Sequence, residues 1–313
     1  MATPRSCANP ACPQPPPTTP TLLLCSRCRT TRYCSQSCQA ASWASHKHSC
    51  NRQNYILKFI FPRTYHGSAR RAHPLCPADA PFYALHAALQ IAFGLPCRYH
   101  SFDFTVKDPN YILDEDPEAL MTMIMRQTNN MNNTRGNPMG DDADMPREYE
   151  LRLTDPAEGE HAGIDRMHEG RRRHPRTLEK NSGKWALWKL FDKAEYQGKK
   201  AIYTNDFGDN WEHHITVEGR AEPTDDFVCL SGTGHPVAED VGGCHGWNEL
   251  KDAYRTQQPS REQREKREWF EKEAVNGDPE GLAGDRVNAW DMNQVNQRLR
   301  AASNVWARAT GQA

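Results

Sequence analysis

The sequence of 313 residues has no apolar run long enough to cross a bilayer; its purely hydrophobic stretches last only a few residues. The opening Met-Ala-Thr-Pro-Arg-Ser-Cys has no apolar core of a secretory signal, so the expected location is intracellular, cytoplasmic or nuclear. Excess charge of either sign is missing too. Lys and Arg number 39 against 40 Asp and Glu, a net −1, which removes any global electrostatic case for nucleic acid or an anionic membrane. The short basic run Arg171, Arg172, Arg173 and Arg176 reads as a solvated face. Hydrophobic residues are scarce at 37%, beside 22 prolines and 20 glycines, so a modest core with irregular segments is expected. There is no Gly-rich phosphate loop and no His-Arg-Asp catalytic loop, which rules out reading Asp206-Phe207-Gly208 as a kinase metal loop. No internal repeat is found.

Cysteine, by contrast, is abundant and crowded. Seven of the eleven lie in the first 50 residues, and a reducing compartment favours metal ligation over disulfides. The ligand candidates are Cys7, Cys12, Cys25, Cys28, Cys34, Cys38, His46 and Cys50, separated by 4, 12, 2, 5, 3, 7 and 3 residues. Eight donors make two closed tetrahedral sets of the structural Zn²⁺ kind, with no position left for a catalytic water. Cys25 and Cys28 form a tight knuckle. Cys34/Cys38 and His46/Cys50 are spaced i, i+4, on one face of a helical turn. His48, two residues after His46, is expected at the surface. Some 44 residues hold too little core to fold alone, so metal binding supplies the folding free energy.

With Tyr33-Cys34, Cys38-Gln39, Trp43, His46-Lys47 and Cys50 in order, residues 7–50 resemble the MYND zinc finger. The resemblance implies interleaved sites, Cys7, Cys12, Cys34 and Cys38 on one ion and Cys25, Cys28, His46 and Cys50 on the other. Two departures stand out: four residues separate Cys7 from Cys12 where the family usually has two, and Ser42 replaces a frequent Asp. Such fingers generally bind short proline-containing peptides, and the resemblance places Gln39 and Trp43 on the groove. Their i, i+4 spacing suits one shared face. The plainer alternative is that Trp43 packs over the metal sites.

Beyond the finger, Tyr55–Phe61 is aromatic and β-branched, a strand. Pro81–Phe93 has helical spacing between Pro81 and Gly94, and His100–Val106 alternates as a strand. Residues 107–183 read as a long, partly disordered insertion in which Glu148–Leu153 keeps a pattern. Trp185–Tyr196 is expected to be helical. Lys199–Asn205 and Trp211–Glu218 flank an Asp/Gly turn as a hairpin, and helices follow over Trp247–Tyr254, Arg261–Glu273 and Asp291–Arg308, the middle one densely charged and solvent-exposed.

Three segments carry a second resemblance: Asp206-Phe207-Gly208-Asp209-Asn210-Trp211-Glu212-His213, Glu239-Asp240-Val241-Gly242-Gly243 and Trp290-Asp291-Met292-Asn293-Gln294-Val295-Asn296. With Leu85-His86 and Gln90 they resemble the Ri-plasmid open-reading-frame-three-like family over about 55–300, with 107–183 as an insertion. The resemblance implies an α+β fold, an antiparallel sheet with hairpin and C-terminal helices, and no mechanism. Pro236-Val237-Ala238 stands where the family has Cys-Pro-Pro. The expected domains are a finger over 1–52 and an α+β domain over 53–310.

Asp206 and Asp209 around Gly208 are ordinary turn chemistry, carboxylates capping backbone amides. The sharper alternative is a polar pocket of Asp206, Asp209, Glu212, His213, His214, Glu239 and Asp240, able to bind metal or do acid–base work. Gly242-Gly243 either lets another backbone approach closely or simply leads into the next helix. The expected function is therefore a zinc-binding adaptor docking protein partners through proline-containing segments, with no catalytic residue assigned. The alternative is a hydrolase or metal-dependent enzyme using that pocket. A SET methyltransferase is excluded by the lack of its Asn-His-Ser-type segment, and no nucleic-acid readout motif is present.

Overall fold

The computed structural model describes residues 7–12, 22–61, 71–95, 100–111, 116–133, 146–157, 169 and 172–309. The N-terminal part pairs two short strands, β1 (Leu23–Leu24) and β2 (Arg32–Tyr33), ahead of helix α1 (Gln36–His46). Ser35 caps α1, its side chain accepting from the Cys38 amide.

An eight-stranded sheet dominates the rest, in the order β10-β4-β3-β9-β8-β5-β6-β7. Its strands are β3 (Asn54–Ile60), β4 (Arg71–Cys76), β5 (Phe102–Lys107), β6 (Tyr149–Thr154), β7 (Leu178–Asn181), β8 (Ala201–Asn205), β9 (Trp211–Ala221) and β10 (Val228–Thr233). Neighbours are antiparallel except β6 and β7, which run parallel. The helices are α2 (Phe82–Phe93), α3 (Pro117–Asn133), α4 (Gly243–Arg255), α5 (Arg261–Lys272) and α6 (Met292–Ala309).

Strand alternation fills one face of the sheet with Leu57, Phe59, Phe104, Leu153, Tyr203 and Ile215, all buried. Against this core α2 turns Phe82, Leu85, Ala88, Leu89 and Ala92. Burying Leu85 and Leu89 completely stabilises the fold by roughly 1.5–3 kcal/mol each. The helix stops at Gly94, whose left-handed φ of 62° only glycine adopts without strain.

The third segment of the sequence resemblance acts in this packing. Trp290 donates its indole N–H to the Ala92 carbonyl at 2.9 Å, fastening the C-terminal segment to α2. Asn296, on α6, bonds both backbone groups of Cys229 at 2.8 and 2.9 Å and so covers part of the edge strand β10.

Two expectations need correction. Trp185–Tyr196 is not one helix but a 3-10 turn before Trp185, a single helical turn at Trp188–Phe191 and a second 3-10 turn at Ala194–Tyr196. Its amides are diverted: Leu187 and Trp188 donate to the Ala80 and Ala78 carbonyls instead of to their own turn. Residues 107–183 do not form a simple insertion, because β6 and β7 complete the sheet and Asn129–Asn133 end α3. Residues 134–145 and 158–168 of that stretch lie outside the described residues. The charged helix α5 is mostly exposed, yet it anchors itself through fully buried Phe270.

Candidate metal centres

In the finger, the chain turns back at Arg29 (φ 56°), whose amide bonds the Cys25 carbonyl, while the Cys25 amide bonds Thr31. This loop presents Cys25 and Cys28 together. α1 supplies Cys38 and His46, and β2 runs into Cys34. The result is two groups, Cys7/Cys12/Cys34/Cys38 and Cys25/Cys28/His46/Cys50, with the ligand atoms of each within 4.8 Å of one another. In the first, Cys34 Sγ lies 3.3 Å from Cys38 Sγ and 3.5 Å from Cys12 Sγ. In the second, Cys25 and Cys50 sulfurs are 3.6 Å apart, as are Cys28 Sγ and His46 Nε2.

These separations are far beyond a disulfide bond of about 2.05 Å. A tetrahedral zinc site with bonds of about 2.3 Å holds its sulfurs about 3.8 Å apart, close to what is seen. Four donors in each group, seven sulfurs and one imidazole in all, fit zinc.

Without a cation the crowded thiols cannot all ionise. Hydrogen bonds with Asn9 and Cys34 bring Cys38 down to about 6, whereas contacts with Cys38 and Cys12 push Cys34 up to about 12. In the other group burial and the Cys25 sulfur raise Cys50 to about 12. Cys28, although burial opposes it, falls to about 6 through Thr30 and Thr31. A dication would let every thiol stay ionised.

Gln39 and Trp43 are placed differently. Gln39 is half-buried and donates to Cys25 Sγ at 3.5 Å, so its amide supports the second group. Trp43 is 39% exposed, its ring edge-on to His46 at 6.0 Å. It both shields a ligand and shows an aromatic surface. His48 is exposed.

A third group forms at one end of the sheet. The turn between β8 and β9 begins at Asp206 (φ 56°), whose Oδ1 accepts the Gly208 and Asp209 amides at 2.9 and 3.0 Å. His100, just before β5, places Nδ1 3.6 Å from Asp206 Oδ1 and Nε2 3.0 Å from Glu239 Oε1. Asp209 is close by. Burial raises its carboxyl, opposed by the Gly243 amide, and neighbouring Asp240 and Glu239 raise it further. The structure thus gathers Asp206, Asp209, Glu239 and Asp240 of the expected pocket.

Glu212 and His213 do not join it. Glu212 pairs with His214 at 3.0 Å on the opposite sheet face. His213 is buried against Phe93, with ring centroids 4.5 Å apart, and donates to the Trp211 carbonyl. Alternation along β9 forces this split, since adjacent residues point to opposite faces.

Sequence reasoning missed His100, a lone histidine with no motif spacing to flag it. It also missed an ion cluster built around a buried carboxylate. Arg152 Nε and Arg172 Nε donate to Asp103 Oδ2 at 2.8 and 2.7 Å, and the Asp103 and Arg152 side chains are wholly enclosed.

Comparison with known proteins divides the chain in the same way. The family described as plasmid pRiA4b ORF-3-like protein matches residues 70–296, and the MYND finger matches residues 7–50. Over 46 residues the chain is 46% identical to the MYND-type zinc finger protein samB of Emericella nidulans, covering 15% of this chain and 8% of that protein. It is 40% identical over 67 residues to the uncharacterized protein y4hQ of Sinorhizobium fredii, covering 20% and 34% respectively. The chain therefore spans only a small part of either relative. A crystal structure of a protein of unknown function, MM3350 from Methanosarcina mazei Go1, superposes with a TM-score of 0.46 at 19% identity, covering 77% of this chain and 96% of that one.

Proposed function

Since the chain belongs to the plasmid pRiA4b ORF-3-like protein family and carries a MYND finger at residues 7–50, we propose that it is a zinc-structured adaptor whose finger docks proline-containing segments of a protein partner. The observation that carries this reading is the closure of both metal groups. Eight side chains form two groups of four donors each, and a zinc ion held by either group would keep no open position for chemistry. The finger then acts only through its surface. Trp43 supports the docking reading because a large aromatic ring remains substantially exposed on a module with little core. Gln39 contributes by holding the Cys25 sulfur and so fixing the helix beneath Trp43.

The finger is a unit of residues 1–52, and the sheet domain takes up 53–310. The free thiols fit a reducing cytoplasmic or nuclear setting. No helix among the described residues is long and apolar enough to cross a membrane.

The test titrates the zinc-loaded full chain with a proline-containing peptide library, following the backbone amide spectrum. Amide shifts should cluster around Gln39 and Trp43. Trp43→Ala should weaken binding by about 2 kcal/mol, the scale of an aromatic hot spot, with zinc content unchanged. No shifts in the finger, or equal binding by the variant, would overturn the adaptor reading.

A further inference from the structure

We propose that His100, Asp206 and Glu239 form a third cation site, in the sheet domain, for a divalent first-row transition ion. This site is separate from the two finger groups and is open where they are closed. One ligand atom from each of the three residues lies within 4.8 Å of the others. The 3.0 Å between His100 Nε2 and Glu239 Oε1 is already the spacing of two adjacent ligands around an ion with bonds of about 2.1 Å. None of the three is a loose surface group, since their side chains are 25%, 8% and 11% exposed.

A second observation lies on the same turn as Asp206. Asp209 Oδ2 is shut off from solvent and meets no hydrogen-bond donor among the described residues. A buried carboxylate oxygen without a donor is costly, and a cation beside it would remove that cost. The local charge balance agrees. Among the described residues Asp209 feels Asp240 and Glu239 as like charges and His100 as the opposing one.

The surrounding backbone is built to hold this arrangement. Gly243 brings its amide onto Asp209, joining the turn at 206–209 to the segment beginning at Glu239. These are the two sequence segments for which the finger offers no use. One imidazole among carboxylates suits a borderline transition ion better than Ca²⁺ or Mg²⁺, which take oxygen donors. Three protein ligands leave the remaining positions to water, unlike the closed tetrads of the finger.

The competing arrangement is a protonated His100 that merely bridges two carboxylates, and it predicts no ion. The test uses the full chain with both finger groups loaded with zinc, titrated with Mn²⁺ while free Mn²⁺ is read by electron paramagnetic resonance. In parallel, total zinc is measured after equilibration with excess Zn²⁺. One ion per chain beyond the finger zinc is expected from one or both metals. His100→Ala and Glu239→Gln should each weaken it by at least about tenfold, as loss of a direct ligand requires, with finger zinc unchanged. Asp206 is left intact because its carboxylate also caps the turn. Should His100→Ala fail to fold, Glu239→Gln decides alone, judged by a near-ultraviolet circular dichroism spectrum matching wild type. Retention of neither metal beyond the finger zinc, or wild-type affinity in the folded variants, would overturn the site and leave His100 as an ion-pair bridge. Neither outcome bears on peptide docking by the finger.

Discussion

Gly243 stands so close to Asp209 that a Cβ on it would lie 2.5 Å from the Asp209 carbonyl oxygen. The neighbouring Gly242 also has a left-handed backbone, φ 87° against 66°, yet a Cβ there would meet nothing within 4 Å. The two glycines therefore separate backbone strain from steric contact.

Gly242→Ala should cost about 1–2 kcal/mol, the penalty for a Cβ in the left-handed region. Gly243→Ala carries that penalty and a backbone clash as well, and should cost about 1 kcal/mol or more beyond it. Urea unfolding of the two variants, compared at constant slope, checks the order. Equal midpoints would mean that the Asp209 turn can move away freely.

Removing a finger ligand should act locally. Cys28→Ala and His46→Ala each leave an incomplete tetrad, and the finger should lose its structure because metal binding supplies its folding free energy. Zinc per chain should fall in both variants, and a chelator should reproduce the effect in wild type. The sheet domain should keep its own unfolding transition, since no finger ligand lies beyond Cys50. Loss of that transition along with the zinc would show that the two parts fold as one.

The finger was legible because its chemistry is written in spacing: eight donors at fixed intervals leave few ways to close two tetrahedra. The elements α2 and β3 and the hairpin of β8 and β9 were legible from periodicity and turn residues. What escaped were features set by partners distant in sequence. Trp185–Tyr196 gives its amides to Ala78 and Ala80, and no local pattern announces that. His100 joins Asp206 and Glu239 only because β5 pairs with β8, which brings the chain just before Phe102 beside Asn205. Arg172, read as part of a solvated run, instead turns inward to Asp103.

That inward turn makes Asp103 a sensitive position. Burial alone would raise its carboxyl, but Arg172 and then Arg152 hold it below the ordinary carboxylate range. A lowered folded value means that its stabilising contribution is present above about pH 4 and is lost as pH falls through the folded value. Asp103→Ala should destabilise by about 3–5 kcal/mol at pH 7, because it leaves two guanidinium groups without their shared carboxylate. Chemical denaturation at pH 7 measures this. A cost below about 1 kcal/mol would show that Glu179, 3.1 Å from Arg152, suffices as its partner.

His86 offers the complementary test in the acid range. It stacks on Phe102 with ring centroids 3.6 Å apart, and its Nδ1 is 2.9 Å from the Tyr203 hydroxyl, which also receives the Gln90 amide. Burial lowers its pKa from the ordinary 6.5 to about 3. Between those values the unfolded chain carries the extra proton, so stability rises with pH, by up to about 1.4 kcal/mol per unit from this group. The contribution is complete above about pH 6.5 and is lost as pH falls towards 3. His86→Gln cannot titrate but keeps hydrogen-bonding groups near Tyr203. At pH 8 it should be less stable than wild type by about 1 kcal/mol, the worth of a lost aromatic stack. As pH falls from 6.5 to 4 that gap should close and then reverse, because only the wild type loses stability through this group. Denaturation midpoints over that range give the slopes, and the imidazole carbon shifts of His86 should stay those of the neutral ring down to pH 4. Parallel slopes for the two proteins, or a His86 titration near 6.5, would show that the ring is solvated well enough to ionise in the folded protein.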